Sequence, residues 1–313
     1  METPLHIIND KFDFNFNTYK TNYQWVRDMF ETEQDSIFHA EGNVGIHTEL
    51  VMNAVKSLPE FQALTAVEQE ILFISALFHD VEKRSTTIIE DGRIISPGHA
   101  KRGESTTRSI LYRDFNCPFY KREKICKIVR HHGLPLWIFE KPNPTKAIIE
   151  SSMVSNNYLL YLIAKADVIG RECEDKDNLF YKIELFKEQA KEFNVLTHSK
   201  FFTDNHSKQI YFEKDNSFVD YVAFDDTECE VIVMCGLPGS GKDFFISQKF
   251  NLPVISLDEL RRQHKIKPGD KYATGFIIQL AKEKAKEFLR KKQSFVWNAT
   301  NLTKQIREQV IGL

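Results

Sequence analysis

Cysteine is scarce in this 313-residue chain. The five present (Cys117, Cys126, Cys173, Cys229 and Cys235) show no CxxC spacing. That argues against a thiolate zinc site or a disulfide framework and fits a reducing compartment. No apolar stretch approaches the roughly 20 residues that a membrane helix needs. The N-terminal METPLHIINDKFDF carries acids where a leader would carry a basic, apolar run. No single charge sign dominates either, since 42 Lys and Arg face 44 Asp and Glu for a net charge of −2. A broad basic coat for nucleic acid is therefore absent, and any such contact is expected to be local. Internal repeats and low-complexity tracts are also missing. What remains is the composition of a soluble, cytoplasmic globular protein, long enough for two cores. The one marked abundance is phenylalanine, at 25 residues, which suggests well-filled helical cores.

From about residue 23 to 195 apolar residues recur at helical spacing, as in IHTELVMNAV, VEQEILFISALFHD, YKREKICKIVRHH, NYLLYLIAKADVIGR and LFYKIELFKEQAKEF. PLWIFEKPNPT (135–145), with three prolines, reads as a long loop. Residues 201–228 are polar and aperiodic, suiting a linker. After them CEVIVMCG, NLPVISL and SFVWNAT read as strands, with KEKAKEFLRKK helical between the last two, a pattern that implies a parallel sheet. The expected architecture is an all-α domain over 1–200, a linker over 201–228 and an α/β domain over 229–313.

The first chemical signal is the adjacent pair His79–Asp80 at the end of an apolar helix. Burying an imidazole beside a carboxylate is costly unless something pairs with both. A divalent transition metal (manganese, nickel, cobalt, zinc or iron) is the natural partner. Further candidate ligands are His47, His99, His131 and His132 of IVRHHGLP, and Asp167, the last interrupting an apolar helix face. Taken singly, each histidine is more often a core or surface residue; as an ordered set on apolar helices they point to a metal centre of one or two ions. The order H…HD…D resembles the HD phosphohydrolase superfamily. The resemblance implies that His47, His79, Asp80 and Asp167 bind metal, and that His99 and His132 (with His131 as the alternative) serve a second metal or the substrate phosphate. FHAEGN adds His39 in a similar role. HDVEK matches a family variant in which Lys83 holds a substrate phosphate, and Arg171, four residues after Asp167, is a weaker candidate for the same task. A metal that lowers the pKa of water towards about 7 would supply the nucleophile for phosphate-ester hydrolysis.

The second signal is CGLPGSGKD (235–243), a Gly-rich turn between a strand and a helix, the context a phosphate-binding P-loop requires. Gly236, Gly239, Ser240 and Gly241 supply the turn, and Lys242 reaches the β- and γ-phosphates of ATP or GTP. Asp243 stands where Ser or Thr usually meets magnesium. Downstream, ISLDELR resembles the polynucleotide-kinase family, which implies Asp258 as the base for a 5′-hydroxyl and Arg261 as a phosphate contact. WNATN adds Thr300 and Asn301. Of the basic stretches, RRQHKIK (261–267) is the candidate nucleic-acid contact.

Taken together, FHAEGN, VRHHGLP, AKADVIGR and GLPGSGKD resemble the bacterial HD-domain polynucleotide kinases, bifunctional RNA end-healing enzymes. The resemblance implies removal of a 2′,3′-cyclic phosphate or 3′-phosphate by the first domain and 5′-hydroxyl phosphorylation by the second, on RNA or DNA ends. The alternative is a nucleotidase or cyclic-nucleotide phosphodiesterase with an ATP-sensing P-loop domain. Because 229–313 falls below the common domain size of about 100–150 residues and holds three strand candidates with no later Arg-bearing lid, an incomplete, weakly active kinase domain is expected.

Overall fold

The computed structural model describes residues 12–267 and 270–313. They form two compact units. One runs to Thr203 and takes in Phe212–Asp215; the other comprises Asp204–Tyr211 and Asn216–Leu313.

The first unit is helical because its sequence repeats apolar residues every three to four positions and marks its helix starts. Thr65 and Glu68 form a reciprocal capping box that opens the helix Ala66–Phe78. Asn43 and Asn156 accept from backbone N–H groups at the starts of Val44–Ser57 and Asn157–Gly170. These three helices make the centre of the core, with Leu72, Phe73, Ile74, Leu77, Leu160 and Ile163 fully buried. The Asn157–Gly170 helix packs along Val44–Ser57. A Cβ on Gly170 would lie 2.8 Å from Val51 Cγ2 and 2.9 Å from its amide nitrogen, so glycine permits the close approach. His99–Arg113 and Phe119–His131 pack as a second helix pair. Glu104 ties that pair together, accepting from Arg108 (2.9 Å) and from Lys127 (2.8 Å). The phenylalanine-rich N-terminal segment completes the core, where Phe12, Tyr19 and Tyr23 ring Phe115.

Three local features depart from the sequence expectation. Residues 135–145 are mostly helical turns (Leu134–Trp137, then a 3-10 turn Ile138–Glu140), and Pro144 opens the helix Pro144–Val154. Proline is welcome in a first helical turn, where its missing N–H has no partner to lose. Within 201–228 a helix forms over Asn205–Glu213. Finally, β1 (Ile88–Glu90) and β2 (Arg93–Ile95) make a hairpin among the helices. Asp91 and Gly92, at φ 50° and 74°, supply the two left-handed residues of the tight turn that suits strand twist.

In the second unit the strand expectations hold. β3 (Val231–Val233), β4 (Val254–Ser256) and β5 (Phe295–Asn298) form a parallel sheet in the order β3-β5-β4. The crossover helix Lys271–Arg290 buries Ile277, Ala281 and Ala285, one face at four-residue spacing, against Phe295 and Trp297. Among the described residues no helix is long and apolar enough to cross a membrane.

Candidate metal centre and phosphate loop

Helix ends carry the first site. His79 and Asp80 leave the C-terminus of Ala66–Phe78, His99 begins His99–Arg113, His132 ends Phe119–His131, and His47 and Asp167 face each other from the two central helices. His47, His79, Asp80, His132 and Asp167 are buried.

The orientation of the rings is the informative part. His79 Nδ1 donates to Ala76 O (2.7 Å), His99 Nδ1 to Ser96 O (2.8 Å) and His132 Nδ1 to Val129 O (2.8 Å). A carbonyl oxygen only accepts, so in the neutral imidazole each Nε2 is left with a lone pair. His47 Nδ1 sits 2.7 Å from Glu41 Oε1, although its angle falls outside that of a well-formed hydrogen bond. All four Nε2 atoms converge on carboxylates. Those of His79 and His47 lie 3.4 and 3.8 Å from Asp80 Oδ2, and His47 Nε2 lies 3.1 Å from Asp167 Oδ1. The Nε2 atoms of His99 and His132 lie 3.4 and 3.7 Å from Asp80 Oδ1. His47 Nε2 and His79 Nε2 are 3.3 Å apart.

Neutral lone pairs and carboxylates facing one another in a buried space repel, and a cation between them reverses the sign. The donor set therefore fits divalent metal, in two groups that share Asp80: His47, His79 and Asp80 on one side, and Asp80, His99 and His132 on the other. Asp167 stands beside the first. Outer carbonyls fix the ring tautomers of His79, His99 and His132 as ligating histidines require. The grouping of His39, Glu41 and His47 differs: there two Nδ1 atoms converge on one oxygen, Glu41 Oε1, at 2.8 and 2.7 Å, an arrangement that orients the rings.

The electrostatics agree with this geometry. Burial opposes ionisation of Asp80 and Asp167, yet Lys83 and His79 hold Asp80, and Arg171 and His47 hold Asp167, well below the carboxylate range. Burial also opposes charge on His47, but Asp167, Glu41 and Asp80 raise its imidazole overall. A field that favours a proton there favours a divalent cation too. At His132 burial outweighs the opposing pull of Asp80 and Asp167 and pushes the imidazole down to about 3.

Lys83 Nζ bridges Asp80 Oδ2 (2.8 Å) and Gln34 Oε1 (2.7 Å). Arg171 grips Asp167 bidentately, Nε to Oδ1 at 2.9 Å and Nη2 to Oδ2 at 2.6 Å. Of the tandem histidines, His132 aims at Asp80. His131 lines the wall of the adjoining cavity instead, and burial lowers its imidazole to about 4. His39 is buried against Glu41 and His47.

Sequence reasoning missed Glu41 and Gln34. Glu41 lies inside the FHAEGN element and its side chain is almost fully buried. Besides its contacts with His39 and His47, it accepts from the Glu172 amide at 2.9 Å.

The second unit builds its loop on β3. Gly239 and Gly241 take φ of 73° and 83°, open to glycine at little cost, and Gly241 caps the helix Lys242–Lys249. A Cβ on Gly236 would meet Ser240 Oγ at 2.7 Å. Lys242 Nζ donates to Gly236 O and Leu237 O (3.1 and 2.8 Å). Asp243 Oδ1 accepts from Asn298 Nδ2 at 2.6 Å, which brings the end of β5 to the loop. Residues 231–313 match the sequence model of the AAA domain family. This part of the chain is a P-loop nucleotide-binding domain of the kinase-like type. No curated protein matches the chain.

Within the P-loop domain, Asn301 is buried at φ 45° and donates Nδ2 to Met234 O (2.6 Å), while Thr300 O accepts from Gly236 N (3.0 Å). Both thus brace the loop through backbone contacts. Asp258 is largely exposed and pairs with Arg261 Nη1 at 2.7 Å. Of the basic RRQHKIK stretch, Arg262 pairs with Glu259.

Proposed function

We propose that the helical unit is an HD-type phosphohydrolase domain (1–200), joined by residues 201–228 to a 5′-hydroxyl kinase domain (229–313), and that the pair heals nucleic-acid ends. The observation that carries the hydrolase reading is the convergence of four Nε2 atoms on the two oxygens of Asp80. In this arrangement a divalent metal ion, once bound, supplies Lewis acidity to a phosphoryl oxygen and lowers the pKa of water. The chain's own residues do the rest. His47, His79, Asp80 and Asp167 would hold one ion, and Asp80, His99 and His132 a second. Lys83, beside Asp80, donates to a phosphate oxygen and offsets its charge, and Arg171 shares that task while fixing Asp167. Glu41 lies 2.7 Å from His47 Nδ1, on the side of the ring away from Asp80 and Asp167, and holds the ring in place.

In the P-loop domain the loop amides and Lys242 cradle the triphosphate, Asp243 serves magnesium, and Asp258 takes the proton of the attacking hydroxyl. RNA ends, with removal of 2′,3′-cyclic or 3′-phosphate followed by 5′ phosphorylation, are the substrate class that joins the two chemistries. The test is phosphate release from an RNA oligonucleotide ending in 2′,3′-cyclic phosphate, with manganese, nickel, cobalt or zinc, and with Asp80→Ala as control. Release that vanishes in the variant supports the reading; a folded, metal-loaded protein that releases no phosphate overturns it.

A further inference from the structure

Magnesium at a phosphate loop is held by a hydroxyl in the first turn of the loop's helix and by a carboxylate on a neighbouring strand. Here the two residue types stand in each other's places. Asp243 carries the carboxylate in the first turn of Lys242–Lys249, and Asn298, a neutral amide, ends β5 beside the loop's own strand β3. The backbone fixes this neighbourhood. Met234 N donates to Trp297 O and Gly236 N to Thr300 O, both at 3.0 Å, one on either side of Asn298 in the chain. The two side chains then meet in one hydrogen bond, from Asn298 Nδ2 to Asp243 Oδ1 at 2.6 Å. A carboxylate oxygen accepts, so the orientation of the amide is set and its own Oδ1 needs a different donor. That oxygen is buried with no partner among the described residues, and Asn298 as a whole is 6% exposed. A buried acceptor left unpaired is costly unless a ligand serves it. Asp243 is exposed and keeps acceptor capacity beyond this bond. An unserved oxygen beside an accessible carboxylate suits a hydrated hard cation, since magnesium takes oxygen ligands and retains waters that can donate.

We propose that Asp243 and Asn298 form a charge-exchanged magnesium pair. Asp243 supplies from the loop the negative charge that a strand carboxylate supplies elsewhere. Asn298 takes the part of the hydroxyl, its Oδ1 accepting from the water shell of the ion and its Nδ2 aiming the carboxylate. The pair keeps the sum that the ion needs, one carboxylate and one neutral oxygen. Two carboxylates at this separation would repel before the ion arrived, and two neutral groups would leave it without a counter-charge. The proposal rests on the reading of this domain as a magnesium–ATP site and makes Asn298 a positioning residue within it.

The experiment measures ATP binding to the full chain by calorimetry, with magnesium and with chelator, and takes the ratio of the two affinities. Lys242→Ala, which should abolish the signal, assigns the heat to the P-loop. In the unaltered protein magnesium tightens ATP by at least about tenfold, an ordinary coupling between two ligands. Asp243→Ser loses most of that factor, and Asp243→Ser/Asn298→Asp, which returns the carboxylate to the strand, regains it. Asn298→Asp alone sets two carboxylates together, so it weakens ATP binding in chelator and magnesium restores it. Asn298→Ala places no charge in the interior and reads the same role by itself, through a smaller ratio at unchanged affinity in chelator. Melting curves in chelator identify any variant that has lost its fold. A folded double variant no better than Asp243→Ser, or an Asn298→Ala protein with the full ratio, overturns the exchange and leaves the magnesium reading of Asp243 standing. A ratio of one in the unaltered protein overturns that reading, and the exchange with it.

Discussion

Asn298, the last residue of β5, donates its Nδ2 to Asp243 Oδ1 across 2.6 Å. The carboxylate that replaces the usual P-loop hydroxyl is thereby held at the start of its helix, with lone pairs left over for a cation. Asp243→Asn keeps an acceptor for Asn298 but removes the charge. It is expected to reduce the magnesium enhancement of ATP binding at least tenfold, about 1.4 kcal/mol, measured by calorimetry with and without magnesium. An unchanged enhancement rules out a role for the carboxylate in holding the ion.

Metal removal should loosen the helical unit. Binding at 1,000 times Kd stabilises a folded state by about 4 kcal/mol, and domains of 150–250 residues shift by about 2–4 °C per kcal/mol. Chelation is therefore expected to lower the melting temperature by about 10 °C, and Asp80→Ala to abolish the response. A melting curve indifferent to metal in the unaltered protein argues that the cluster is not a metal centre.

Glu41 Oε1 lies 2.7 Å from the Nδ1 of His47, behind the ring whose Nε2 faces Asp80 and Asp167. Glu41→Ala is expected to cost about 10–100-fold in metal affinity, the usual loss for such a partner. Metal content after dialysis against graded chelator reads it out. Hydrolysis restored by raised metal would show that orientation of the ligand is what was lost.

Gly170 tests the helix approach that brings Asp167 to His47. Gly170→Ala forces a methyl into Val51 and is expected to destabilise by about 1–3 kcal/mol, measured by urea unfolding. A neutral result means the two helices part without cost.

Glu104 gives an acid-side signature. Burial would raise its carboxyl, but Lys127 and Arg108 lower it overall. Its contribution is present above the ordinary glutamate value and is lost as pH falls through the lowered folded value. The stability gap between the unaltered protein and Glu104→Gln, about 1 kcal/mol near neutrality for a partly exposed network, should close as the pH falls below 4. A gap that stays constant with pH assigns the loss to packing.

The sequence was most legible where spacing and chemistry coincide. Polar residues that interrupt apolar helices, such as His79, Asp80 and Asp167, stand out because burial without a partner is unfavourable, and the structure brings them together. Gly239, Gly241 and Lys242 are marked by backbone demands that few other residues meet. Glu41 and Gln34 were hidden because they lie outside the helical runs, where no periodicity reports burial, and their partners are distant in the chain. The β1–β2 hairpin was signalled by Asp91-Gly92 between Ile-rich runs, but the surrounding helical pattern overshadowed three-residue strands. The helical turns across 135–145 were obscured by reading every proline as a breaker.

Glu41 binds the Glu172 amide, and the Ala40 amide donates to Glu172 O at 2.8 Å, so two points 131 positions apart are stitched directly beside the ligands. Closing so large a loop is an entropic hurdle met late in assembly. A nascent chain can thus form its capping box and its tandem-histidine helix before it can offer a finished ion cage. Metal capture would then time the final step of folding, and ribosome-bound chains arrested short of Glu172 should hold the ion far more weakly than those released beyond it.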